Sequence, residues 1–297
     1  MSLWNTPAKD IPRQVVMQRR PVVSSRPRAV DTAFSIPGDE MLCTQVGIAS
    51  GLFNQHTQHG FAEHDANVQH KIARKMQKLG CEWEPRFWRG ELHDLALRAM
   101  FDNKPLEFAY LDLCSCMTSR IARWGCTELG PALAEGATVA VTLQRSWRHN
   151  LYMNWWCHVN KKRGTDAFRI YQLADEMIRT SPCTGVVGDL LSFYDDSRSS
   201  ADDSLSLSIR DRGKTARMLR PEYHTASVDA LSSFMILFPM HTFKLDACIE
   251  YKRGTGTAAM STFVLTDFRR VDKPTMSKHM LKQLGDNVSP QLRLASF

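Results

Sequence analysis

The segment FAYLDLCSCM, residues 108–117, carries side chains that could do chemistry at the end of an apolar run. Asp112 closes the run, and Cys114 and Cys116 follow it. A carboxylate in this place suits a ligand site at the carboxyl edge of a parallel sheet. The two cysteines also permit a metal or redox pair, and a plain strand-to-turn transition requires neither. The segment alone leaves all three interpretations open.

Four histidines form a second group that could do chemistry, within fifteen residues of one another: His56, His59, His64 and His70. Imidazoles are common zinc ligands, so a metal site is one interpretation. The gaps between these histidines match no assignable metal-site spacing. The predicted elements also place them on a loop, a strand end and a helix face. We therefore predict no metal site.

Residues 142–163 interleave basic and aromatic side chains. This mixture suits phosphate backbones and unstacked bases, so we predict nucleic acid as a partner. An amphipathic helix with its aromatic side chains in the core and its cations in solvent is the alternative. The residues predicted to contact nucleic acid are Arg145, Trp147, Arg148, Lys161, Lys162 and Arg163.

The first thirty residues are basic, with six cations against the single acid Asp10. Four prolines interrupt them, which predicts that residues 1–28 form an extended arm rather than one helix. Such an arm could lie on phosphate or on the acidic face of another protein. A solvated terminus is the alternative. The cations are Lys9, Arg13, Arg19, Arg20, Arg26 and Arg28.

Predicted strands and helices alternate from residue 29 to residue 145, and they would position these groups. The predicted strands lie in AVDTAFSIP, HGFAEHD, PRFWRGEL, LEFAYLDL and GATVAVTLQ. The predicted helices cover 39–53, 66–80, 93–101 and 117–135, the last with a break near Gly130-Pro131. This alternation predicts an α/β fold with a mostly parallel Rossmann-like sheet and helices on both faces. Two strands around KRGTGTAA predict a C-terminal antiparallel hairpin.

A parallel α/β run that ends in an antiparallel hairpin resembles the class I S-adenosylmethionine-dependent methyltransferase fold. In that family a seven-stranded sheet receives its last strand as an antiparallel hairpin. The resemblance covers residues 29–270, roughly, and implies one domain over 29–272, with a polar loop near 195–225 and a tail at 273–297. It also implies S-adenosylmethionine as the cofactor.

The resemblance implies site residues at successive strand ends. Glu63, after the second strand, would accept hydrogen bonds from the ribose hydroxyls, and Asp65 would cap the next helix. Glu91, after the third strand, would lie near the adenine. Asp112 would face the methionine amine or the target atom and is the predicted catalytic residue. The complete predicted cofactor set is Pro37, Gly38, Glu63, Asp65, Glu91, Leu92, Asp112 and Leu113.

The chain departs from the family pattern at two places. The turn after the first strand offers only Pro37-Gly38 where the family has a glycine-rich turn, and DLCS follows the fourth strand where nucleic-acid amino-methyltransferases have an Asn/Asp-Pro-Pro-aromatic run. We therefore keep two hypotheses. The first is a methyltransferase that acts on N or O of a nucleic acid. The alternative is a catalytically inactive module of the same fold that binds nucleic acid or proteins in a larger assembly.

Composition bounds these hypotheses. A chain of 297 residues with 43% hydrophobic residues can bury the core of one large domain, and a net charge of +7 with a pI near 9.0 favours a polyanionic partner. Eight scattered cysteines suggest free thiols. We find neither an apolar run of ~18 residues nor a signal peptide. An intracellular, cytoplasmic protein that is neither secreted nor bound in a membrane is expected.

Overall fold

The computed structural model describes residues 10–19, 21, 28–36, 41–113, 119–145, 234, 237–252 and 259–272. These residues contain seven strands that form one sheet. The strands are β1 (Thr32–Ser35), β2 (Gln58–Ala62), β3 (Arg86–Trp88), β4 (Leu106–Asp112), β5 (Leu133–Arg145), β6 (His241–Lys252) and β7 (Ala259–Arg270).

The described helices lie between these strands and before the first of them. They are α1 (Asp10–Gln18), α2 (Leu42–Ala49), α3 (Ala66–Lys78), α4 (Leu97–Met100), α5 (Ser119–Trp124) and α6 (Gly130–Ala132). A single 3-10 turn covers Leu92–Asp94, and a π-helical turn covers Gly125–Leu129 between α5 and α6. None of the helices in the described ranges is long and apolar enough to cross a membrane.

The sheet has the order β3-β2-β1-β4-β5-β7-β6. Strands β1 to β5 pair in parallel, whereas β7 is antiparallel to β5 and to β6. This order and these directions confirm the predicted Rossmann-like α/β fold with a C-terminal antiparallel hairpin. They are the arrangement that the resemblance to class I methyltransferases implies.

The central strands are apolar because helices cover both faces of the sheet. On one face α1, with Val16 and Met17, and the turn after α2, with Leu52, pack on β4, β5 and β7. On the other face the same strands are covered by Trp124, Leu129, Phe234, Leu237 and Phe238. Helix α3 extends the first layer over β2 with Ile72 and Met76. Every parallel strand except the edge strand β3 is therefore held in place from both sides.

Helix α3 follows its prediction closely. Its amphipathic spacing buries Ile72 and Met76, and Asp65 caps it by accepting a hydrogen bond of 2.8 Å from the backbone N–H of Asn67. The chain turns away from the helix axis at Gly80, two residues after the last helical residue. Its φ of 77° lies in the left-handed region that glycine tolerates best. The predicted cap and the predicted stop are both confirmed.

The N-terminal arm is not extended throughout, which corrects the prediction for residues 1–28. Residues Asp10–Gln18 form α1, which buries Val15, Val16 and Met17 against the sheet. Pro12 lies in the first turn of this helix, where a missing backbone N–H breaks no helical hydrogen bond. The prolines of this segment are therefore compatible with a short helix.

The described arginines of the predicted arm contact the domain itself. Arg13 is buried, and Arg28 lies 2.6 Å from Oε1 of the buried Glu107. Arg19 Nε lies 2.7 Å from Asp246 Oδ2, an ion pair without hydrogen-bond geometry. The other cations of the arm lie outside the described residues. In the described part, the arm therefore serves to attach α1 to the sheet.

Several predicted elements are shorter than the sequence suggests. Helix 39–53 is reduced to α2, and the predicted strand over 85–92 is reduced to the three residues of β3. The predicted helix 93–101 consists of a 3-10 turn and the single turn α4. The helix predicted over 117–135 changes at Gly130-Pro131, as predicted, and in addition at Gly125, so it is divided into α5, the π-helical turn and α6. Apolar spacing does not show where backbone hydrogen bonding changes.

Gly47 illustrates how packing decides a residue in α2. A Cβ atom on Gly47 would lie 2.3 Å from Cδ2 and Cε2 of Phe53, whose ring is buried against Phe108 and His59. The chain turns back after α2, since the backbone N–H groups of Leu52 and Phe53 both donate to the carbonyl of Gly47. The glycine is therefore required by the close approach of this ring.

We expect Gly47→Ala to lower the free energy of unfolding by up to about 2 kcal/mol. Alanine gains about 1 kcal/mol of helix propensity over glycine, but overpacking of a buried ring costs about 1–3 kcal/mol and outweighs it. Urea denaturation checks this difference. In a Phe53→Leu background the same alanine is expected to stabilise the protein, because the ring is gone. Stabilisation in the wild-type background would contradict the packing argument.

Candidate functional site

The site predicted from the sequence lies at the carboxyl edge of the parallel strands. Strands β1, β2, β3 and β4 end at this edge with Ser35, Ala62, Trp88 and Asp112. Helices α2 and α3 begin at the same edge, because each follows a parallel strand and returns antiparallel to it. Crevices outside the carboxyl ends of such strands are where open α/β sheets bind ligands.

The strand register places Glu63 and Asp112 at one level of this edge. Ser35 of β1 pairs with Phe61 on one side and with Tyr110 on the other. Glu63 and Asp112 each follow two residues later, so their side chains belong to the same face of the sheet. Strand β1 lies between them, and two strand spacings separate them by roughly 10 Å. The two carboxylates therefore flank the end of β1.

Glu63 is well oriented at the end of β2. Its backbone N–H donates to the carbonyl of Trp88 over 2.9 Å, and its side chain is 14% exposed. Oε1 accepts a hydrogen bond of 2.9 Å from the backbone N–H of Asp65 and lies 3.6 Å from Nδ1 of the exposed His64. Within the described residues, Oε2 of Glu63 has neither a hydrogen bond nor an ion pair. One carboxylate oxygen is therefore fixed and the other can accept hydrogen bonds.

A buried amide supports this strand end from below. Gln69 of α3 is buried, and its side-chain nitrogen donates to the backbone carbonyl of Glu63. Its side-chain oxygen accepts a hydrogen bond of 3.1 Å from Nε of Arg89. Gln69 therefore links α3, the end of β2 and the end of β3.

Gln69 and Arg89 were not predicted as site residues. Arg89 directly follows β3. Its position as a charged residue at a strand end is the feature of the sequence that could have identified it. Gln69 lies with Ile72 and Met76 on the buried side of α3. A polar residue in an apolar stripe normally has a buried hydrogen-bonding partner, and this pattern could have identified Gln69.

Asp112 ends β4 in a half-buried position. Its strand partner is Thr142 of β5, whose hydroxyl forms a buried hydrogen bond of 2.7 Å with the hydroxyl of Thr262 in β7. The two threonines continue the level of Glu63 and Asp112 toward β7. Leu113 is half-buried against the core on the opposite face. A row of polar side chains thus crosses the carboxyl edge of the sheet.

Glu91 and Leu92 lie beyond β3 rather than at its end, which corrects the predicted strand. Glu91 is exposed, and its backbone carbonyl accepts a hydrogen bond of 2.9 Å from Nε1 of Trp88. The indole folds back over Gly90, where a Cβ atom would lie 2.9 Å from it. Leu92 begins the 3-10 turn and is half-buried against the core. The proposed contact of this turn with adenine stays a prediction.

The turn between β1 and α2 is described only at its two ends. Pro37 and Gly38 lie outside the described residues. Met41 precedes α2 with a φ of 52°, a left-handed conformation that is rare for a side chain of this size. Its side chain is buried with Phe61, Ile72 and Met76, which hold this conformation in place. The chain thus adopts here, with methionine, a backbone conformation that glycine adopts most easily.

The predicted nucleic-acid residues fall almost entirely outside the described ranges. Arg145 ends β5, and only its backbone is described. The others lie outside the described residues: Trp147, Arg148, Lys161, Lys162 and Arg163. The polar loop near 195–225 and the tail at 273–297 lie outside them as well. The roles of these segments stay predictions.

The four histidines are spread over different elements. His56 lies in a loop, with Nδ1 2.8 Å from Glu82, and His59 is buried in β2 between Phe53 and Phe61. His64 and His70 are exposed. Among the described residues, no three or more His, Cys, Asp or Glu side chains are grouped so that they could hold a metal ion. Cys114 and Cys116 lie outside the described residues.

No family model matches this sequence, and no curated protein matches it. Solved structures with a similar arrangement include an O-methyltransferase from Bacillus cereus in complex with SAH. It is 8% identical with a TM-score of 0.43, and the alignment covers 90% of this chain and 84% of that chain. TYW2 from P. horikoshii, in complex with MeSAdo, is 7% identical with a TM-score of 0.43, and the alignment covers 89% of this chain and 64% of that chain.

The O-methyltransferase TomG from Streptomyces achromogenes, in complex with SAM, is a third similar structure. It is 10% identical with a TM-score of 0.41, and the alignment covers 89% of this chain and 82% of that chain. Likenesses at these identities and TM-scores carry no conclusion about the chemistry of this chain. The fold follows from the strand order and the strand directions described above.

Proposed function

We propose that this protein is an S-adenosylmethionine-dependent methyltransferase whose methyl acceptor is an N or O atom of a nucleic acid. The observation that supports the reaction most directly is the position of Glu63 and Asp112 at one level, on either side of β1. In the class I fold these are the strand ends where acids contact the donor.

The described residues fit such a donor. Oε1 of Glu63 is held by the N–H of Asp65, so the carboxylate is oriented before ligand binds, and Oε2 can accept from a ribose hydroxyl. Asp112 offers a second carboxylate two strands away, suited to an ammonium group. Pro37 and Gly38 would contact the methionine part, and Leu92 the adenine side. Gln69 and Arg89 would keep the Glu63 end of the crevice in place.

Bound S-adenosylmethionine would supply a methyl group on a positively charged sulfur. The carbon–sulfur bond of that group would break as the acceptor's lone pair bonds to the methyl carbon, and sulfur would keep the electron pair. The protein's contribution is to align acceptor and donor. Asp112 would orient the donor amine or take the proton that the acceptor loses.

The choice of nucleic acid rests on charge and composition. The chain has a net charge of +7, and the segment 142–163, which starts in β5 at the same edge as Asp112, mixes arginine and lysine with tryptophan. Cations neutralise phosphates, and aromatic rings stack on unpaired bases. Because the segment follows β5, it would lie beside the crevice where the methyl group is transferred.

We expect Glu63→Ala to weaken S-adenosylmethionine binding by about 10- to 150-fold, the value of one hydrogen bond to a charged group. Isothermal titration calorimetry with S-adenosylmethionine and its demethylated product measures this. Glu84→Ala is the matched control, because Glu84 is exposed beside the amino edge of the sheet and should leave affinity unchanged. Asp112→Ala is expected to weaken binding as well.

Two outcomes would contradict the proposed function. If the wild-type protein does not bind either ligand, the methyltransferase hypothesis fails, and the alternative of a binding module with the same fold is then favoured. If Glu63→Ala and Glu84→Ala reduce affinity equally, the donor does not occupy the crevice at the end of β2.

A further inference from the structure

Helix α3 carries a row of cations that no part of the proposed catalytic site uses. Lys71, Arg74 and Lys78 follow one another at spacings of three and four residues, Lys75 comes directly after Arg74, and the helix contains no acid. These spacings place them on one stripe, about 10 Å long. Lys71, Arg74 and Lys78 are exposed, whereas the opposite side of the helix is buried on the sheet.

The fold itself does not require this row. Like charges three and four residues apart destabilise a helix slightly. The negative end of the helix dipole accounts for Lys75 and Lys78 in the last turn, but it does not reach Lys71 and Arg74. Within the described residues, no ion pair neutralises Lys71, Arg74 or Lys78. The row therefore has a charge cost that an external anion would remove.

An exposed tryptophan follows α3 in the chain. The chain turns at Gly80, and Trp83 comes three residues later with 48% of its surface exposed. Lys104 Nζ lies 5.5 Å from the centroid of its ring. Tryptophan usually buries most of its surface, so an indole this exposed next to a cation suits a planar partner.

Two acids lie close to Trp83. Glu82 pairs with His56 over 2.8 Å, and Glu84 is exposed. The four cations of α3 and Lys104 together outnumber these two acids. Both acids come after the helix in the chain, so neither lies within the row of cations. We call the residues Lys71, Arg74, Lys78, Trp83 and Lys104 the α3 surface.

We propose that the α3 surface binds a single strand of nucleic acid, with phosphates along the cations and one base stacked on Trp83. Phosphate neutralisation and base–aromatic stacking are the two terms that such binding combines. An acidic protein would satisfy the cations but would leave the exposed indole without a stacking partner. The exposed ring therefore favours nucleic acid over an acidic peptide.

The direction of α3 connects this surface with the crevice. Because α3 begins directly after Glu63 and Asp65 and runs antiparallel to β2, its first turn lies at the carboxyl edge and its last turn at the amino edge. A strand on the α3 surface would extend from Trp83 toward the crevice at the end of β2. This inference rests on the proposed function, since it supplies a path along which the methyl acceptor reaches the crevice.

The test compares two variants that each lose two positive charges. Lys71→Gln/Arg74→Gln changes the α3 surface, and Arg120→Gln/Arg270→Gln, at exposed positions on α5 and at the end of β7, is the matched control. Binding of the full chain to a fluorescein-labelled single-stranded RNA of about 20 nucleotides is followed by fluorescence anisotropy at several salt concentrations. Polyglutamate serves as the competitor that represents an acidic protein.

We expect Lys71→Gln/Arg74→Gln to weaken RNA binding by about 10- to 25-fold near 0.1 M salt and to reduce the salt slope by about 1.4, the value for two phosphate contacts with a single strand. The control double variant is expected to keep the slope of the wild type. Trp83→Ala is expected to weaken binding by about 5- to 150-fold without changing the slope, and Trp83→Phe to restore most of the loss.

The proposal is overturned if the wild type does not bind RNA, if the two double variants lose the same slope, or if polyglutamate competes as well as unlabelled RNA. Calorimetry with S-adenosylmethionine on the same variants separates this result from the proposed function. Loss of RNA binding with intact donor binding supports the surface. RNA binding through α3 without any donor binding refutes the methyltransferase and leaves the surface established.

Discussion

Trp124→Ala is expected to lower the free energy of unfolding by about 3–5 kcal/mol, the usual cost of removing a large aromatic side chain from a core. Trp124 is 1% exposed, and its ring centroid lies 6.4 Å from that of Phe34 in β1. Its Nε1–H donates a hydrogen bond of 2.8 Å to the carbonyl of Leu95. The substitution therefore opens a cavity beneath the central strand and leaves a buried carbonyl without its donor.

Trp83→Ala is the matched control for this measurement. Trp83 is half-exposed, so its removal should cost about 1 kcal/mol or less, including the contact with Lys104. Trp124→Phe should fall between the two, because it keeps most of the apolar area but loses the hydrogen bond to Leu95. Urea unfolding followed by circular dichroism gives all three values. Equal losses at the two tryptophans would contradict the described core.

Lowering the pH from about 7 to about 5 is expected to remove about 2 kcal/mol of stability through His59 alone. Burial in β2 lowers the pKa of His59 to about 3. Its ring lies between Phe53 and Phe61, and its Nε2 has no hydrogen-bonding partner among the described residues. In the unfolded chain a histidine titrates near pH 6.5.

The sign of this effect follows from proton binding. Between the two pKa values the unfolded chain binds a proton that the folded protein excludes, so the free energy of unfolding decreases as the pH falls below about 6.5. The decrease levels off below about pH 3, where both states are protonated. Above pH 6.5 the histidine is neutral in both states and has no such effect.

His59→Leu tests whether His59 causes this pH dependence, because leucine fills a similar apolar space and cannot titrate. The variant's stability is expected to depend less steeply on pH between about 4 and 6.5 than that of the wild type. Part of the dependence remains, since burial and, to a smaller extent, Arg270 lower the pKa of His241 to about 4. Urea midpoints measured over this pH range for both proteins decide the question, and parallel curves would contradict a buried neutral His59.

Local patterns were sufficient wherever one face of an element decides its structure. The apolar spacing of α3, with Asp65 before it and Gly80 after it, predicted its bounds to within two residues. The apolar run LEFAYLDL predicted β4 to within one residue. Such elements are recognisable because burial of one face or of both faces imposes a regular period on the side chains.

The errors arise where contacts distant in sequence override local preference. Proline-rich composition suggested an extended arm, but Val15, Val16 and Met17 gain enough burial on the sheet to stabilise α1. The helix predicted over 117–135, with a break near Gly130-Pro131, already changes to a π-helical turn at Gly125, which packs so closely under Leu237 that a Cβ atom would be 1.7 Å from Cδ2. Neither contact can be read from its own segment.

For the candidate site, the sequence identified carboxylates at strand ends but not their relation to one another. Glu63 and Asp112 are 49 positions apart, and only the register of β2, β1 and β4 shows that they share a level and a face. The link from Gln69 to Arg89 likewise depends on packing of α3 across β2 and β3. Register is a property of paired strands, so it is decided when the sheet forms.

The sequence by itself determined the class of fold, since the alternation of strand and helix periods and the final hairpin admit few arrangements. It also determined which residues are polar at the ends of apolar runs. Only the tertiary structure decided which of those residues meet: Arg89 contacts Gln69, Thr142 aligns with Asp112, and Glu91 lies beyond the end of β3. The physical reason is that hydrophobic periodicity is local, whereas strand pairing and side-chain packing join residues far apart in the chain.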